Sequence, residues 1–139
     1  MRYPGSFRRL TSEVRRDSAL TVGPGDVAIT WLAIDRNDLG AAPAVGGTRL
    51  TAPAAGAYWA TAYGQITSSL PNAQLWWRLN GVTVVGRQNQ ANPNRTQATL
   101  DVGRALRLAA GDFLELVANA GGGAARTFDF GLASLVRLG

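Results

Sequence analysis

Short apolar segments separated by turn-forming residues recur along this chain at a spacing of about ten residues. The second half shows the pattern best, in segments such as residues 57–67, 75–79 and 113–119. Alternation of inward and outward side chains with period two is typical of β-strands, and 17 Gly and 6 Pro supply the turns between them. The sequence therefore predicts an all-β fold of about eight antiparallel strands.

Charge divides the 139 residues into two parts. Residues 1–19 carry five Arg against two acidic residues, which is +3 of the net charge of +5, and we interpret them as a basic N-terminal arm. Leu10 and Val14 fit one face of a helix, but the arm fits an extended edge strand equally well. Residues 20–139 are then a single domain, because a chain of this length buries one core.

Two segments predict local structure within that domain. Residues 27–34 alternate with period two but are apolar on both faces, as in a strand that is covered on two sides. Asn80 and Gly81 tolerate the positive φ angles of a type I′ turn, so residues 75–85 are expected to form a hairpin.

The order of four motifs carries a resemblance. An apolar strand follows a Pro/Gly turn at residues 53–56, the next ends in Asn80-Gly81, Leu-x-x-Gly-Asp spans residues 108–112, and Phe-Gly-Leu at residues 130–132 closes the chain. This order resembles the jelly roll of tumour necrosis factor and of complement globular heads. The resemblance implies a single jelly-roll β-sandwich that binds as a homotrimer and has no chemistry of its own.

Aromatic residues alternate between the two faces of the strand after the Pro/Gly turn. Period two places Tyr58 on one face and Trp59, Thr61 and Tyr63 on the other. The resemblance implies that this strand lines the threefold axis, with Trp59, Thr61 and Tyr63 in the trimer interface. A position in the core of a monomer and a platform for ligand stacking remain the alternatives for these residues.

Adjacent residues Trp76 and Trp77 point to opposite faces, so one is expected in the core and the other exposed, covered by a subunit or stacked on a sugar.

Catalytic residue types are scarce in this chain. It has no His and no Cys, which excludes histidine-based nucleophilic sites and thiolate or imidazole zinc sites. Asp112 is expected to bond its own turn, and Glu115 to face away from the core. Asp35 and Asp38 lack the full spacing of a Ca²⁺ loop. We therefore expect no enzyme activity, no catalytic residue, no metal site and no cofactor.

The basic residues indicate a setting. All 14 are Arg, as in proteins encoded by GC-rich genomes. With the jelly-roll resemblance, this composition is similar to that of head decoration, head-fibre or minor tail proteins of phages that infect high-GC bacteria. The chain starts at Met1 without an apolar leader, so we expect assembly in the host cytoplasm and a location on the virion.

Partners follow from that interpretation. The arm is expected to dock to capsid or tail proteins through five arginines: Arg2, Arg8, Arg9, Arg15 and Arg16. The alternative function is a carbohydrate- or receptor-binding tip that uses an exposed Trp and the amide-rich loop of residues 88–95. A membrane partner is not expected, because no apolar stretch is long enough to span a bilayer. Nucleic acid is likewise not expected as a partner.

Overall fold

A computed structural model describes residues 9–67, 72–90, 97–121 and 125–139. Within these residues all regular structure is β-strand, and no helix that could span a membrane occurs. The strands are β1 (Thr11–Arg16), β2 (Leu20–Val22), β3 (Val27–Ala28), β4 (Ala33–Asn37), β5 (Arg49–Thr51), β6 (Gly56–Thr67), β7 (Ala73–Leu79), β8 (Thr83–Gln90), β9 (Gln97–Leu108), β10 (Phe113–Asn119) and β11 (Arg126–Arg137).

The strands form two antiparallel sheets. The first sheet has the order β4-β1-β11-β6-β9, with β2 paired to β11. Because β6 occupies one edge of β11, both β1 and β2 lie along its other edge, one after the other. The second sheet has the order β3-β10-β7-β8, and β3 and β5 share one edge of β10 in the same way.

The two sheets pack face to face around one apolar core. The largest fully buried side chains come from both sheets and from the connection between β3 and β4: Trp31, Trp77, Tyr58, Phe128, Ile29, Leu50, Ile66, Leu75, Leu100, Leu114 and Leu116. This arrangement confirms the predicted single jelly-roll sandwich. The described residues form eleven strands where about eight were expected; two positions, beside β11 and beside β10, are each filled by two short strands, so the eleven strands occupy nine positions.

The segment of residues 27–34 is not one strand. Val27–Ala28 pairs with β10 in the second sheet, whereas Ala33–Asn37 pairs with β1 in the first. Between them the chain crosses the sandwich, and Ile29 and Trp31 are buried in the core. The apolar alternation on both faces therefore reflects a crossing through the core and not a strand that is covered on two sides.

The boundary between arm and domain at residue 20 is also corrected. Thr11–Arg16 lies inside the first sheet, with β4 on one edge and β11 on the other. Val14 is 1% exposed, and the Ser12 hydroxyl, also buried, donates to Asn37 Oδ1 at 2.7 Å and accepts from the Ala41 amide at 3.0 Å. The sheet thus extends into the segment that charge alone set apart.

The hairpin predicted over residues 75–85 is confirmed, with β7 and β8 joined by a turn in which φ is 52° at Asn80 and 75° at Gly81. The Asn80 side chain ties this turn to the next one. It accepts from the Phe113 amide at 3.0 Å and donates to Asp112 at 3.0 Å. Asp112 also accepts a hydrogen bond from the Ala109 amide, so it bonds its own turn as expected. The hydrogen bonds from Asn80 and from Ala109 hold the pKa of Asp112 below its usual range.

We expect Gly81→Val to lower the free energy of unfolding by about 1–2 kcal/mol, because a β-branched residue is strained at positive φ. Thermal unfolding followed by circular dichroism measures the loss. Gly139→Ala is the control, since a Cβ there meets nothing within 4 Å. Equal melting temperatures for the two variants would contradict the turn assignment.

Candidate oligomerisation surface

The outward face of the first sheet carries apolar side chains that no other part of the described chain covers completely. Along β6, Tyr58 and Ala60 point inward with no exposed area, while Trp59, Thr61 and Tyr63 point outward. Trp59 is 40% exposed, and Thr61 and Tyr63 are half-buried. The structure therefore places the three predicted residues together on one outward face, as the period-two pattern indicated.

The neighbouring strand β11 extends this surface with residues that the sequence analysis did not identify. Its register sets Val136 opposite Trp59, Leu132 opposite Tyr63 and Phe130 opposite Gln65. Leu132 is 40% exposed and Tyr63 meets Phe130 edge-on at 6.0 Å between ring centroids. We call five of these residues the apolar strip: Trp59, Tyr63, Phe130, Leu132 and Val136. The period-two pattern of the closing strand gave a signal for Leu132 and Val136, but a bulge between Phe128 and Phe130 shifts the register.

Two local features fix the shape of the apolar strip. A Cβ at Gly103 of β9 would lie 3.0 Å from Trp59 Cζ2, so the indole packs closely over this glycine. Between the aromatic residues, the hydroxyls of Thr61 and Ser134 are 2.7 Å apart and hydrogen-bonded to each other. Trp59 at one end of the strip is therefore closely packed, and the two hydroxyls beside the strip are already hydrogen-bonded to each other.

A shallow depression of about 390 Å³ lies beside the apolar strip. It is lined by Thr61, Tyr63, Leu132 and neighbouring residues of β6 and β11, and by Glu13 and Asp35 on the adjoining strands β1 and β4.

Arg15 on β1 and Arg36 on β4 each form ion pairs with nearby carboxylates. Arg15 donates to Asp35 at 3.1 Å and also pairs with Asp17, and these carboxylates raise the pKa of Arg15. Arg36 donates to Asp38 at 2.7 Å and holds the pKa of that carboxyl below its usual range. Both carboxylates that were weighed as Ca²⁺ ligands are therefore bound to guanidinium groups. Among the described residues, no three His, Cys, Asp or Glu side chains cluster as metal ligands.

Three of the five arginines assigned to docking lie among the described residues, and their surroundings differ. Arg2 and Arg8 lie outside the described residues, and Arg9 is exposed. Arg15 is held by its two ion pairs, and Arg16 is 7% exposed, donating to Thr30 at 2.7 Å and to the Ala19 carbonyl at 2.9 Å. Arg15 and Arg16 are thus engaged in the fold, which corrects their assignment as exposed docking groups.

The second sheet corrects the prediction for the adjacent tryptophans. Trp77 is in the core, and Trp76, on the other face, is only 4% exposed, with the Arg87 guanidinium 4.9 Å from its ring centroid. Trp76 is therefore not available as a sugar platform. On the same face Glu115 points away from the core as expected, and it accepts from Thr48 at 2.7 Å and from Arg78 at 3.3 Å.

Comparisons with known proteins place the fold. No protein-family model matches the chain, and no curated protein matches it in sequence. Among solved structures it is similar to the globular domain of zebrafish complement 1qA protein, with a TM-score of 0.76 and 13% identity over 94% of this chain and 98% of that one. It is also similar to murine APRIL, with a TM-score of 0.65 and 11% identity over 92% and 99% of the two chains. The Eiger TNF of S. frugiperda gives 0.60 and 14% identity over 94% and 93%. The chain therefore has a jelly roll of the tumour necrosis factor and complement type.

Proposed function

We propose that this protein is a non-enzymatic homotrimer whose subunits meet through the apolar strip, and that the trimer is a structural component of a virion. The observation that carries the proposal is the exposure of Trp59 and Leu132, each 40%, on the same sheet face. Monomeric proteins rarely expose a contiguous apolar patch of this kind. A second and a third copy of the chain would cover it.

Threefold assembly fits both the fold and the shape of the strip. A jelly roll resembling tumour necrosis factor carries the expectation of a trimer in which β6 lines the axis. In that arrangement Trp59, Thr61 and Tyr63 form the interface with Leu132 and its neighbours on β11. Aromatic residues with few rotatable bonds are typical of the centre of protein interfaces, where they bury much area at little entropic cost.

A structural role without catalysis is supported by the chemistry of the side chains. The chain has neither His nor Cys, so a nucleophile activated by imidazole and a reactive thiolate are both impossible. Asp35, Asp38 and Glu115 are each bound to an Arg. These three of the carboxylates weighed for glycosidase chemistry are thus engaged in ion pairs of the fold.

The virion role rests on composition. All 14 basic residues are Arg, and the proposed setting is a phage of a high-GC bacterium, with the chain on the head or tail. Because Arg15 and Arg16 are engaged in the fold, docking to the capsid or tail protein is assigned to residues 1–9, including Arg2, Arg8 and Arg9. The jelly roll would then be displayed outside the particle.

Immunodetection on purified particles tests this role. We expect an antibody against the chain to label virions from the source host, and a chain lacking residues 1–8 to be absent from particles while it remains a trimer in solution. Arg49→Ala is the control, because Arg49 lies on the second sheet over Phe113 and should not affect incorporation. Unlabelled particles would rule out the virion role without affecting the proposed trimer.

A further inference from the structure

The turn between β7 and β8 places an asparagine directly before a glycine, on the surface of the molecule. Of the seven Asn in the chain only Asn80 precedes a Gly, and both Asn80 and Gly81 are exposed. Glycine has no side chain to hinder its nitrogen, and its backbone reaches angles that other residues avoid. The Val82 amide closes the turn by donating to the Leu79 carbonyl at 3.1 Å, and no hydrogen bond in the described part of the chain engages the Gly81 amide. The side-chain amide of Asn80 therefore has a free backbone nitrogen and solvent beside it.

Two hydrogen bonds hold the Asn80 side chain in the folded protein. Its Oδ1 accepts from the Phe113 amide at 3.0 Å, and its Nδ2 donates to Asp112 Oδ1 at 3.0 Å. The other oxygen of Asp112 is held by the Ala109 amide, which donates to it at 2.7 Å. We call these three hydrogen bonds the turn tie. Any reaction that removes Nδ2 breaks the bond to Asp112, so the turn tie stabilises the intact amide against such a reaction.

We propose that Asn80 is a site of spontaneous deamidation, at which the turn tie controls the rate and the product cannot restore the tie. The Gly81 nitrogen attacks Asn80 Cγ. The bond from that nitrogen to Cγ forms, the bond from Cγ to Nδ2 breaks, and Nδ2 leaves as ammonia with the proton of the Gly81 amide. Water then opens the succinimide ring, which leaves aspartate or isoaspartate at position 80. No oxidant or reductant takes part.

The product would carry a carboxylate where the folded chain requires a donor. An oxygen in place of Nδ2, 3.0 Å from Asp112 Oδ1, would set two acceptors and two negative charges against each other. Arg49 lies over the Phe113 ring, 4.0 Å from its centroid, and it makes no ion pair with Asp112 among the described residues. Conversion therefore separates the β7–β8 turn from the turn before β10, and the loss of ammonia makes the change permanent.

Peptide mapping of the full chain measures the conversion. Trypsin cleaves after Arg78 and Arg87, so it isolates residues 79–87 as one peptide whose mass increases when the amide becomes an acid. During incubation at mildly alkaline pH, Asp112→Ala should accelerate the conversion of Asn80 about fivefold or more, because it removes the acceptor that holds Nδ2. Circular dichroism verifies that the variant remains folded.

Ser12→Ala is the matched control. It also removes a side chain that makes two hydrogen bonds, but in the first sheet, away from the turn tie. It destabilises the whole fold without opening this turn locally, so the conversion rate of Asn80 should stay within about twofold of that of the unmodified chain. Equal acceleration by the two variants, or an Asn80 that stays intact in Asp112→Ala, would overturn the proposal.

An exchange of the two side chains tests the effect of the product. Asn80→Asp should lower the melting temperature by about 3 °C or more at neutral pH. Adding Asp112→Asn to it should restore most of the loss, because the amide at position 112 then donates to the carboxylate at position 80 and its oxygen still accepts from the Ala109 amide. If Asn80→Asp alone melts at the temperature of the unmodified chain, the product does not disrupt the turn tie and the proposal is overturned.

Discussion

Deletion of residues 1–19 is expected to abolish folding. The deletion removes β1 from between β4 and β11, and with it the buried Val14 and the hydrogen bonds of Ser12 to Asn37 and Ala41. The lost packing and ladder bonds are comparable to the whole stability of a small domain, roughly 5–15 kcal/mol. Circular dichroism and thermal unfolding should show a chain without a cooperative transition.

The shorter deletion of residues 1–8 is the control. It keeps Leu10, whose carbonyl accepts from the Arg137 amide at 3.0 Å, and it keeps all of β1. This variant should unfold at a temperature close to that of the full chain. A cooperative transition for the chain without residues 1–19 would show instead that the sheet forms without β1.

Leu132→Arg is expected to dissociate the trimer while leaving each subunit folded. Leu132 is 40% exposed in the subunit, so a longer polar side chain fits there without disturbing the core. In the proposed trimer it would place three like-charged guanidinium groups in an interface that is otherwise apolar. The loss of association free energy should reach the value typical of a residue at the centre of an interface, about 2 kcal/mol or more. Light scattering at several concentrations measures the change.

Val84→Arg is the control for Leu132→Arg, because the two side chains are similarly exposed. Val84 is 44% exposed but lies on the second sheet, away from the apolar strip. It should leave the mass of the assembly unchanged. If both substitutions dissociate the assembly equally, or if neither does, the apolar strip is not the interface.

Local patterns predicted the parts of the fold that depend on residues close in sequence. The Asn80-Gly81 turn follows from the backbone freedom of two adjacent residues, and the inward and outward faces of β6 follow from period two. The order of the motifs also gave the sandwich. The turn and the two faces of β6 are each decided within about a dozen residues of chain, the length of β6 itself.

The features that the sequence did not predict, the place of β1 in the sheet and the crossing at residues 27–34, depend on pairing between segments far apart in the chain. Thr11 pairs with Val136 and Arg16 with Gly131, and no local signal in a charged segment indicates a partner at the opposite end of the chain. Residues 27–34 have the composition of a strand, but their two halves pair in different sheets.

The sequence predicted the part of the candidate interface that lies on β6 but not the part that lies on β11. Trp59, Thr61 and Tyr63 share a face because they share a strand, whereas Leu132 joins them through the register of β11, which contains a bulge. The covering of Trp76 by Arg87 likewise depends on a bulged pairing of β7 with β8. A one-residue change of register moves every side chain to the other face, so a bulge defeats a prediction based on period two.

The mass of the full chain in solution tests the central claim most directly. Size-exclusion chromatography with light scattering at micromolar concentration should give three times the subunit mass of 14.6 kDa. The apolar strip would then be buried between copies of the chain. A single species of 14.6 kDa over the same range of concentration would contradict the account, because the exposed strip would then have no partner in copies of this chain.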